Sequence, residues 1–287
     1  NGQAKILERY LNIAIRQKAG LRNNFGDEVK KLYFEKIIEK FSSLNEVEAI
    51  ALGGSRATGA NDKKSDYDIY IYGKNEPPVE DRRKIAEKFA DNPEVDNHYF
   101  ETGDTFRLRA TGKPIDIMYR NPEFIENNVK WVWEEGNASL GYTTCFVDNI
   151  QKTEILYDKN GWLKNIKERV STPYPDKLAQ NIIQKNFTYL KDAMFSYRDQ
   201  IASAIERADF VSINHRCAAF LASYFDIIFA KNKVLNPGEK KLIPFALNNC
   251  KILPKDFEHD VKTLAVGDIA KRLPTADNLI ENLRKIL

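Results

Sequence analysis

The sequence predicts an α+β fold, in which a small mixed β-sheet domain is followed by an all-helical bundle domain. Short alternating apolar runs bounded by glycine and proline occur between residues 47 and 119, which is typical of strands. From residue 175 onward, apolar residues recur at intervals of three and four, which is typical of helices. Turn-forming residues between 155 and 175 separate the two patterns, so we place the domains at residues 1–160 and 161–287.

The composition is that of a folded protein without a membrane span. Apolar residues make up 43% of the chain, but no stretch approaches the roughly eighteen uninterrupted apolar residues of a membrane helix. The 44 basic and 41 acidic side chains leave a formal charge of only +3. This charge argues against a dedicated nucleic-acid binder, because such proteins neutralise many phosphates. The three cysteines lie far apart and lack CxxC spacing, which favours a reducing, cytoplasmic location.

The first domain is predicted to mix helices with short strands. Its first 45 residues have helical spacing, and we expect two helices that are separated near residues 20–26. Alternating apolar residues indicate strands, and Thr111-Gly112-Lys113 indicates a hairpin turn between two of them. The predicted strands are 47–52, 67–72, 106–110 and 114–119, and a further helix is predicted over 80–90.

The second half is predicted to be almost wholly helical. Asn121-Pro122 has the N-cap and first-turn residues of a helix start, and Gly136 is a typical helix stop. Beyond residue 175, glycine and proline separate the helical runs, Pro274 among them. We expect the run near 210–232 to be the central helix of the bundle, because it is apolar on most of its surface. The other predicted helices lie near 176–207, 238–250, 254–265 and 275–287.

A glycine-rich turn carries the first motif with chemical meaning. An apolar strand enters Gly53-Gly54-Ser55 and is followed by a predicted helix. Such a turn exposes backbone N–H groups at a helix N-terminus, where anions are favoured, so we expect it to bind phosphate. It is not a Walker P-loop, because Ala60-Asn61 stand where that motif requires Lys-Ser or Lys-Thr.

Three aspartates form the second motif. Asp66 and Asp68 are two apart on a predicted strand, so their carboxylates share one face and need a cation to offset their repulsion. Hard oxygen ligands of this kind favour Mg²⁺. Asp116 lies between Ile115 and Ile117 in a second strand, where a charge also needs a partner. Three carboxylates beside a phosphate-binding turn are the set that two-metal nucleotidyl transfer requires.

Taken in order and spacing, Gly54-Ser55, Asp66-x-Asp68 and Asp116 resemble the DNA polymerase β-like nucleotidyltransferase superfamily. The run Gly-Ser-Arg-Ala-Thr-Gly and the helical second half look more like the bacterial aminoglycoside and lincosamide nucleotidyltransferases, and their uncharacterised relatives, than like polymerases. The resemblance implies an enzyme with two Mg²⁺ ions that moves a nucleoside monophosphate to a hydroxyl of a small-molecule acceptor. The implied co-substrate is ATP, as AMP donor, or another NTP.

The resemblance also implies a role for each motif residue. Ser55 and the backbone at Gly54 would hold the terminal phosphates. Asp66 and Asp68 would ligate both metal ions. Asp116 would ligate the ion that activates the acceptor hydroxyl.

Four further residues are candidates for binding the nucleotide or the acceptor. Arg56 is a candidate charge partner of the triphosphate, and Lys64, in the turn before Asp66, is another. The plain alternative for Arg56 is a solvated charge or a structural ion pair, and for Lys64 it is an ordinary turn residue. His215 and Arg216 would contact base, phosphate or acceptor from the second domain, whereas the plain alternative for His215 is a helix-capping or core histidine.

Other charged residues are predicted to lie on the protein surface without a role in the site. Glu101 and Asp104 precede the hairpin and are interpreted as surface-loop residues, with the mouth of the site as the alternative. The basic pairs at 82–83 and 240–241 are predicted to be solvated helix faces.

Three other functions compete with transfer to a small molecule. A protein adenylyltransferase and an RNA-end nucleotide-adding enzyme would use the same residues, and the near-neutral charge weighs against the RNA enzyme. A non-catalytic nucleotide-binding regulatory protein would bind ATP without releasing pyrophosphate. The sequence leaves the acceptor and the oligomeric state open.

Overall fold

The computed structural model of the protein describes residues 22–54 and 66–287, which form two compact units. The first unit contains the described residues up to Phe124 together with Lys152–Asn165. The second contains Ile125–Gln151 and Ile166–Leu287. The chain therefore enters the second unit once, returns to the first, and then completes the second. The boundary predicted at residue 160 lies within the returning segment.

The first unit is built on one mixed β-sheet, with its strands in the order β3-β4-β5-β2-β1-β6. Only β2 and β5 pair in parallel among these neighbours, and the other pairs are antiparallel. The chain returns to this unit because β6 completes the sheet beside β1. The strands are β1 (Ala49–Leu52), β2 (Tyr67–Tyr72), β3 (Glu94–Asn97), β4 (Gly103–Arg107), β5 (Pro114–Arg120) and β6 (Glu154–Asp158).

Helices make up most of the remaining regular structure, and the predicted α+β fold class is confirmed. Within residues 22–54 and 66–287, no helix combines the length and apolar character that a membrane crossing requires. Two π-helical turns, Lys130–Glu134 and Thr188–Asp192, continue α3 and α6. The helices are α1 (Arg22–Ser42), α2 (Val79–Phe89), α3 (Pro122–Val129), α4 (Cys145–Lys152), α5 (Trp162–Val170), α6 (Asp176–Phe187), α7 (Tyr197–Glu206), α8 (Phe210–Lys231), α9 (Leu242–Asn249), α10 (Phe257–Val266) and α11 (Ile269–Arg284).

One face of the sheet forms the hydrophobic core of the first unit with α1 and α2. Successive side chains of a strand point to opposite faces, so the isoleucines of β2 and β5 fill this core while Asp68 and Asp116 lie on the other face. Burial of the isoleucines therefore fixes which way the two aspartates point. The core residues are Ile37, Phe41, Ile50, Ile69, Ile71, Ile85, Phe89, Ile115 and Ile117.

Three predicted helix boundaries are wrong. Helix α1 spans Arg22–Ser42 in the described residues and includes Gly26, although a break was expected near residues 20–26, because a glycine costs a long helix only about 1 kcal/mol relative to alanine. The helix predicted before it lies outside the described residues. Pro274 lies inside α11, whose buried residues hold it in place despite the lost hydrogen bond. The helix predicted over 176–207 is divided into α6 and α7, with Ser196 as the N-cap of α7.

A buried ion pair fixes β4 to α2 on the core side of the sheet. Arg82 is only 1% exposed, and its Nη1 lies 3.3 Å from Oδ1 of the fully buried Asp104. Its Nη2 lies 2.7 Å from Oδ1 of Asp96. Asp104 also accepts a hydrogen bond of 2.5 Å from the Tyr119 hydroxyl. The predictions that Arg82 is solvated and that Asp104 is a surface-loop residue are therefore wrong, because the two charges satisfy each other inside the core.

The second unit is organised around α8, as predicted. Its apolar residues pack against α10 and α11 in a single cluster. The Asp209 side chain caps the start of α8 by accepting a 3.0 Å hydrogen bond from the Ser212 N–H. The central residues of this cluster are Phe220, Tyr224, Phe225, Ile228, Phe229, Phe257, Leu264, Leu279 and Leu283.

A buried carboxylate on α8 orders two loops of the second unit. Asp226 accepts hydrogen bonds from the backbone N–H and the hydroxyl of Thr143, the latter at 2.6 Å, and from Nδ2 of Asn236 at 3.0 Å. Burial raises the pKa of the Asp226 carboxyl, and these donors oppose that effect. Asp226 is thus the common acceptor for loops that are far apart in sequence.

Removal of the Asp104 carboxylate should destabilise the first unit. In Asp104→Ala, the Arg82 guanidinium stays buried and loses a partner, so we expect a loss of about 3 kcal/mol in the free energy of unfolding. Lys84→Ala is the control, because it removes an exposed pair with Asp81 on the same helix and should change little. Urea unfolding followed by circular dichroism measures both. Equal losses in the two variants would contradict the assignment.

Removal of the Asp226 carboxylate should destabilise the second unit. Asp226→Ala leaves the donors of Thr143 and Asn236 buried without an acceptor, at a cost of about 3 kcal/mol. The matched control is Ser223→Ala on the same helix, because the buried Ser223 hydroxyl has no hydrogen-bond partner in the structure. Thermal unfolding by calorimetry should show a clear drop for Asp226→Ala and almost none for Ser223→Ala. A comparable drop in both would show that helix packing, and not the buried acceptor, is responsible.

Candidate metal and nucleotide site

The sheet brings the three predicted aspartates together on the face away from α1 and α2. Asp68 of β2 and Asp116 of β5 are directly opposite each other in the parallel pair, and Asp66 precedes β2. One carboxylate oxygen from each residue lies within 4.8 Å of the other two, and all three side chains are half-buried. The cluster therefore follows from strand register, with Asp66 supplied by the chain entering β2.

The donor set fits a divalent cation. Two carboxylates with oxygens 4.8 Å apart repel each other by roughly 3 kcal/mol at an effective dielectric constant of about 20. Three such groups favour a bound cation, and an all-carboxylate set suits Mg²⁺ or Mn²⁺ rather than a softer metal. Asp66, Asp68 and Asp116 are the residues that would hold it.

The glycine turn after β1 lies directly against this cluster. The Gly53 N–H donates a 2.8 Å hydrogen bond to the Asp68 carbonyl. A Cβ atom at Gly54 would lie 1.8 Å from Oδ2 of Asp68, and one at Gly53 would lie 2.3 Å from Cε2 of Tyr70. Gly54 also has a φ of +62°, which a side chain rarely adopts. The backbone expected to meet phosphate therefore touches the carboxylate expected to hold metal.

A hydroxyl from the neighbouring strand is bound to the third carboxylate. Oγ1 of Thr105, in β4, lies 2.8 Å from Oδ1 of Asp116. The two residues are directly opposite each other in the antiparallel pair of β4 and β5. Thr105 is absent from the sequence-based candidates, because the predicted strand starts one residue after it.

An ion pair between Arg120 and Glu101 lies on the same face of the sheet, beyond the three aspartates. Arg120 binds Glu101 with both Nε and Nη2, at 2.9 and 2.7 Å, and its guanidinium lies 4.0 Å over the Tyr70 ring. Burial, partly offset by Arg120, raises the pKa of the Tyr72 hydroxyl above its usual value. Glu101 lies in the loop between β3 and β4, as the surface-loop interpretation predicted, and there it forms a bidentate pair with Arg120.

The remaining predicted site residues fall into two groups. Ser55, Arg56 and Lys64 lie outside the described residues, and their roles stay predictions. His215 and Arg216 are exposed on α8 in the second unit. His215 is thus neither a cap nor a core residue, and its contact with nucleotide or acceptor, like that of Arg216, stays a prediction.

Family comparisons match two separate parts of the chain. Residues 35–122 match the family described as polymerase beta, nucleotidyltransferase. This range contains the three aspartates, the Gly53-Gly54 turn and Thr105. Residues 144–242 match a domain of unknown function, DUF4037.

Two solved structures resemble the chain over most of its length. A nucleotidyltransferase-like protein from Exiguobacterium sibiricum has 10% identity and a TM-score of 0.46, covering 87% of this chain and 73% of that chain. A STING-associated CdnE c-di-GMP synthase from Capnocytophaga granulosa has 14% identity and a TM-score of 0.29, covering 91% and 80%. Neither likeness is close enough to transfer a substrate to this chain. No curated protein matches the sequence.

A side chain at Gly54 should disrupt the carboxylate cluster. In Gly54→Ala, the new Cβ displaces Asp68, so Mn²⁺ affinity should fall by roughly tenfold or more, as expected when a metal ligand is misplaced. Gly112→Ala is the matched control, because Gly112 has a similar φ of +65° but no atom within 4 Å of the added Cβ. Both variants should lose about 1 kcal/mol of stability from the left-handed backbone. Isothermal titration with Mn²⁺ should separate them, and equal affinities would refute the close approach.

Proposed function

We propose that this chain, a member of the DNA polymerase β-like nucleotidyltransferase superfamily, is a divalent-metal-dependent enzyme that transfers AMP from ATP to a hydroxyl of a small-molecule acceptor. One observation carries the proposal: three carboxylates lie within 4.8 Å of one another beside the Gly53-Gly54 turn. This arrangement combines a seat for metal ions with backbone able to approach phosphate.

We assign two of the carboxylates to the nucleotide and the third to the acceptor. Asp68, which adjoins the glycine turn, and Asp66, which lies beside Asp68, would hold the metal ions on the triphosphate side. Asp116 would hold the ion on the acceptor side and accept the proton of the attacking hydroxyl. Divalent ions, when bound there, supply charge neutralisation of the triphosphate and activation of that hydroxyl. The backbone at Gly54 would keep the phosphates close to the carboxylates.

The proposed acceptor is small and not a nucleic acid. The formal charge of +3 leaves no large excess of basic residues for phosphate neutralisation along a strand. ATP as the donor, Mg²⁺ as the metal and two ions belong to the same proposal and rest on the family resemblance and the donor set. A cytoplasmic location is also proposed and rests on the three widely spaced cysteines.

Loss of a carboxylate should affect catalysis and nucleotide binding differently. Asp68→Asn and Asp116→Asn should each reduce pyrophosphate release from ATP·Mg²⁺ by on the order of 10²-fold or more, because a metal ligand is lost. Asp116→Asn should change ATP affinity by less than about tenfold. The assay uses a panel of hydroxylated acceptors that includes aminoglycosides and lincosamides, with ATP affinity measured by calorimetry.

The control is Asp91→Asn, which changes an exposed carboxylate of the same unit and should leave turnover intact. Turnover in Asp68→Asn within a few-fold of the unmodified protein would exclude the metal assignment. ATP binding without pyrophosphate release across the whole panel would favour a nucleotide-binding regulatory protein instead. A collapse of ATP binding in Asp116→Asn would move that residue to the nucleotide side.

A further inference from the structure

We infer that Asn97 and Thr105 form a hydrogen-bond relay that positions the Asp116 carboxylate for metal binding. The inference rests on the proposed function and adds two positioning residues to its site. Neither residue is expected to touch substrate or metal. Their effect would pass through Asp116.

The first link is the contact between Thr105 and Asp116. The two residues face each other across β4 and β5, and Oγ1 of Thr105 lies 2.8 Å from Oδ1 of Asp116. An ionised carboxylate can only accept hydrogen bonds, so the Thr105 hydroxyl must be the donor. This bond engages one carboxylate oxygen and limits rotation of the group about its Cβ–Cγ bond.

The second link directs the hydroxyl proton. Nδ2 of Asn97, at the end of β3, donates to Oγ1 of Thr105 over 3.4 Å. This donor occupies a lone pair of the hydroxyl, which leaves the Thr105 proton free to point at Asp116. The bond is long, so we expect its contribution to be smaller than that of Thr105 itself.

An irregularity in β3 makes this link possible. The register of β3 against β4 shifts between Val95 and Asn97, and Asp96 has a φ of +68°. Side chains alternate between the two faces of a strand, so a regular strand would turn Asn97 away from Thr105. The extra residue at Asp96 places Asn97 opposite Gly103, on the same face as Thr105.

Strand β4 is also held on its other face, beside Thr105. Asp104 accepts hydrogen bonds from the Tyr119 hydroxyl of β5 and from the backbone N–H of Asp96, and it pairs with Arg82. These buried contacts fix β4 against β5 and β3 at the residue next to the relay. The Thr105 hydroxyl is therefore presented to Asp116 by a strand with little freedom to shift.

Partners that orient a metal ligand typically change metal affinity by about 10- to 100-fold when removed. Thr105→Val removes the hydroxyl and keeps the β-branched shape that suits a strand. We expect it to raise the dissociation constant for Mn²⁺ about tenfold. Thr105→Ser keeps the donor and should remain within about threefold of the unmodified protein, whereas Asn97→Ala should weaken binding roughly threefold.

The experiment measures Mn²⁺ binding by electron paramagnetic resonance, with α,β-methylene-ATP present, on the full chain. The matched control is Thr102→Val, the same substitution in the same hairpin, where the hydroxyl lies 3.5 Å from His98 and the backbone carbonyl accepts from Tyr119, three residues beyond Asp116. It should leave Mn²⁺ affinity unchanged. Thermal unfolding of each variant separates a change in affinity from a loss of fold.

The outcomes separate the relay from the proposed function. Tenfold weaker binding in Thr105→Val, with rescue by Thr105→Ser, supports the relay. If Thr105→Val binds Mn²⁺ as tightly as the unmodified protein, or if Thr105→Val and Thr105→Ser weaken binding equally, the relay is overturned but the metal site is not. If Thr105→Val does not fold, Asn97→Ala decides, and unmodified affinity there overturns the relay. If Asp68→Asn binds Mn²⁺ as tightly as the unmodified protein, the proposed function fails and the relay fails with it.

Discussion

Mutual repulsion of three carboxylates is the constraint around which the first unit is built. Asp66, Asp68 and Asp116 have oxygens within 4.8 Å of one another, so the fold must hold like charges together. It does so through the parallel pairing of β2 and β5, which sets Asp68 opposite Asp116. The isoleucines next to Asp68 and Asp116 in the two strands are buried against α1 and α2, and a one-residue slip would expose them. Hydrophobic burial on one face thus sustains a charged site on the other.

Two further contacts fix the positions of Asp68 and of strand β4. Gly54 leaves no room for a side chain against Asp68, so its backbone lies beside the cluster. On the opposite face, Arg82 and Asp104 bind each other where neither could be buried alone. Asp104 and Thr105 are adjacent in β4, and successive side chains of a strand point to opposite faces. Asp104 therefore joins the ion pair in the core, while Thr105 faces Asp116 in the site. Stability and site geometry are therefore coupled within a few residues.

Sequence patterns within a few residues predicted individual strands and the turn between β4 and β5. Strand β2 was predicted at residues 67–72 as observed, and the hairpin turn at 111–113 correctly implied that β4 and β5 pair. The register of this hairpin was not predicted, because a turn at 111–113 would pair Ala110 with Pro114, whereas Arg107 pairs with Pro114 and Thr105 therefore lies opposite Asp116. The burial of Arg82 could not be predicted, because its partners Asp96 and Asp104 come from other elements. The β3 irregularity and the return of β6 to the sheet likewise depend on contacts between distant residues.

The central claim is that the three carboxylates hold divalent metal beside the phosphates of a nucleotide. A crystal structure of the full chain with Mn²⁺ and α,β-methylene-ATP tests it most directly, because Mn²⁺ is located by its anomalous scattering. We predict anomalous peaks about 2.1 Å from oxygens of Asp66, Asp68 and Asp116, a distance typical of Mg²⁺-like ions, with the triphosphate against the Gly53-Gly54 turn. Nucleotide bound away from this turn, or Mn²⁺ bound only at other residues, would contradict the account.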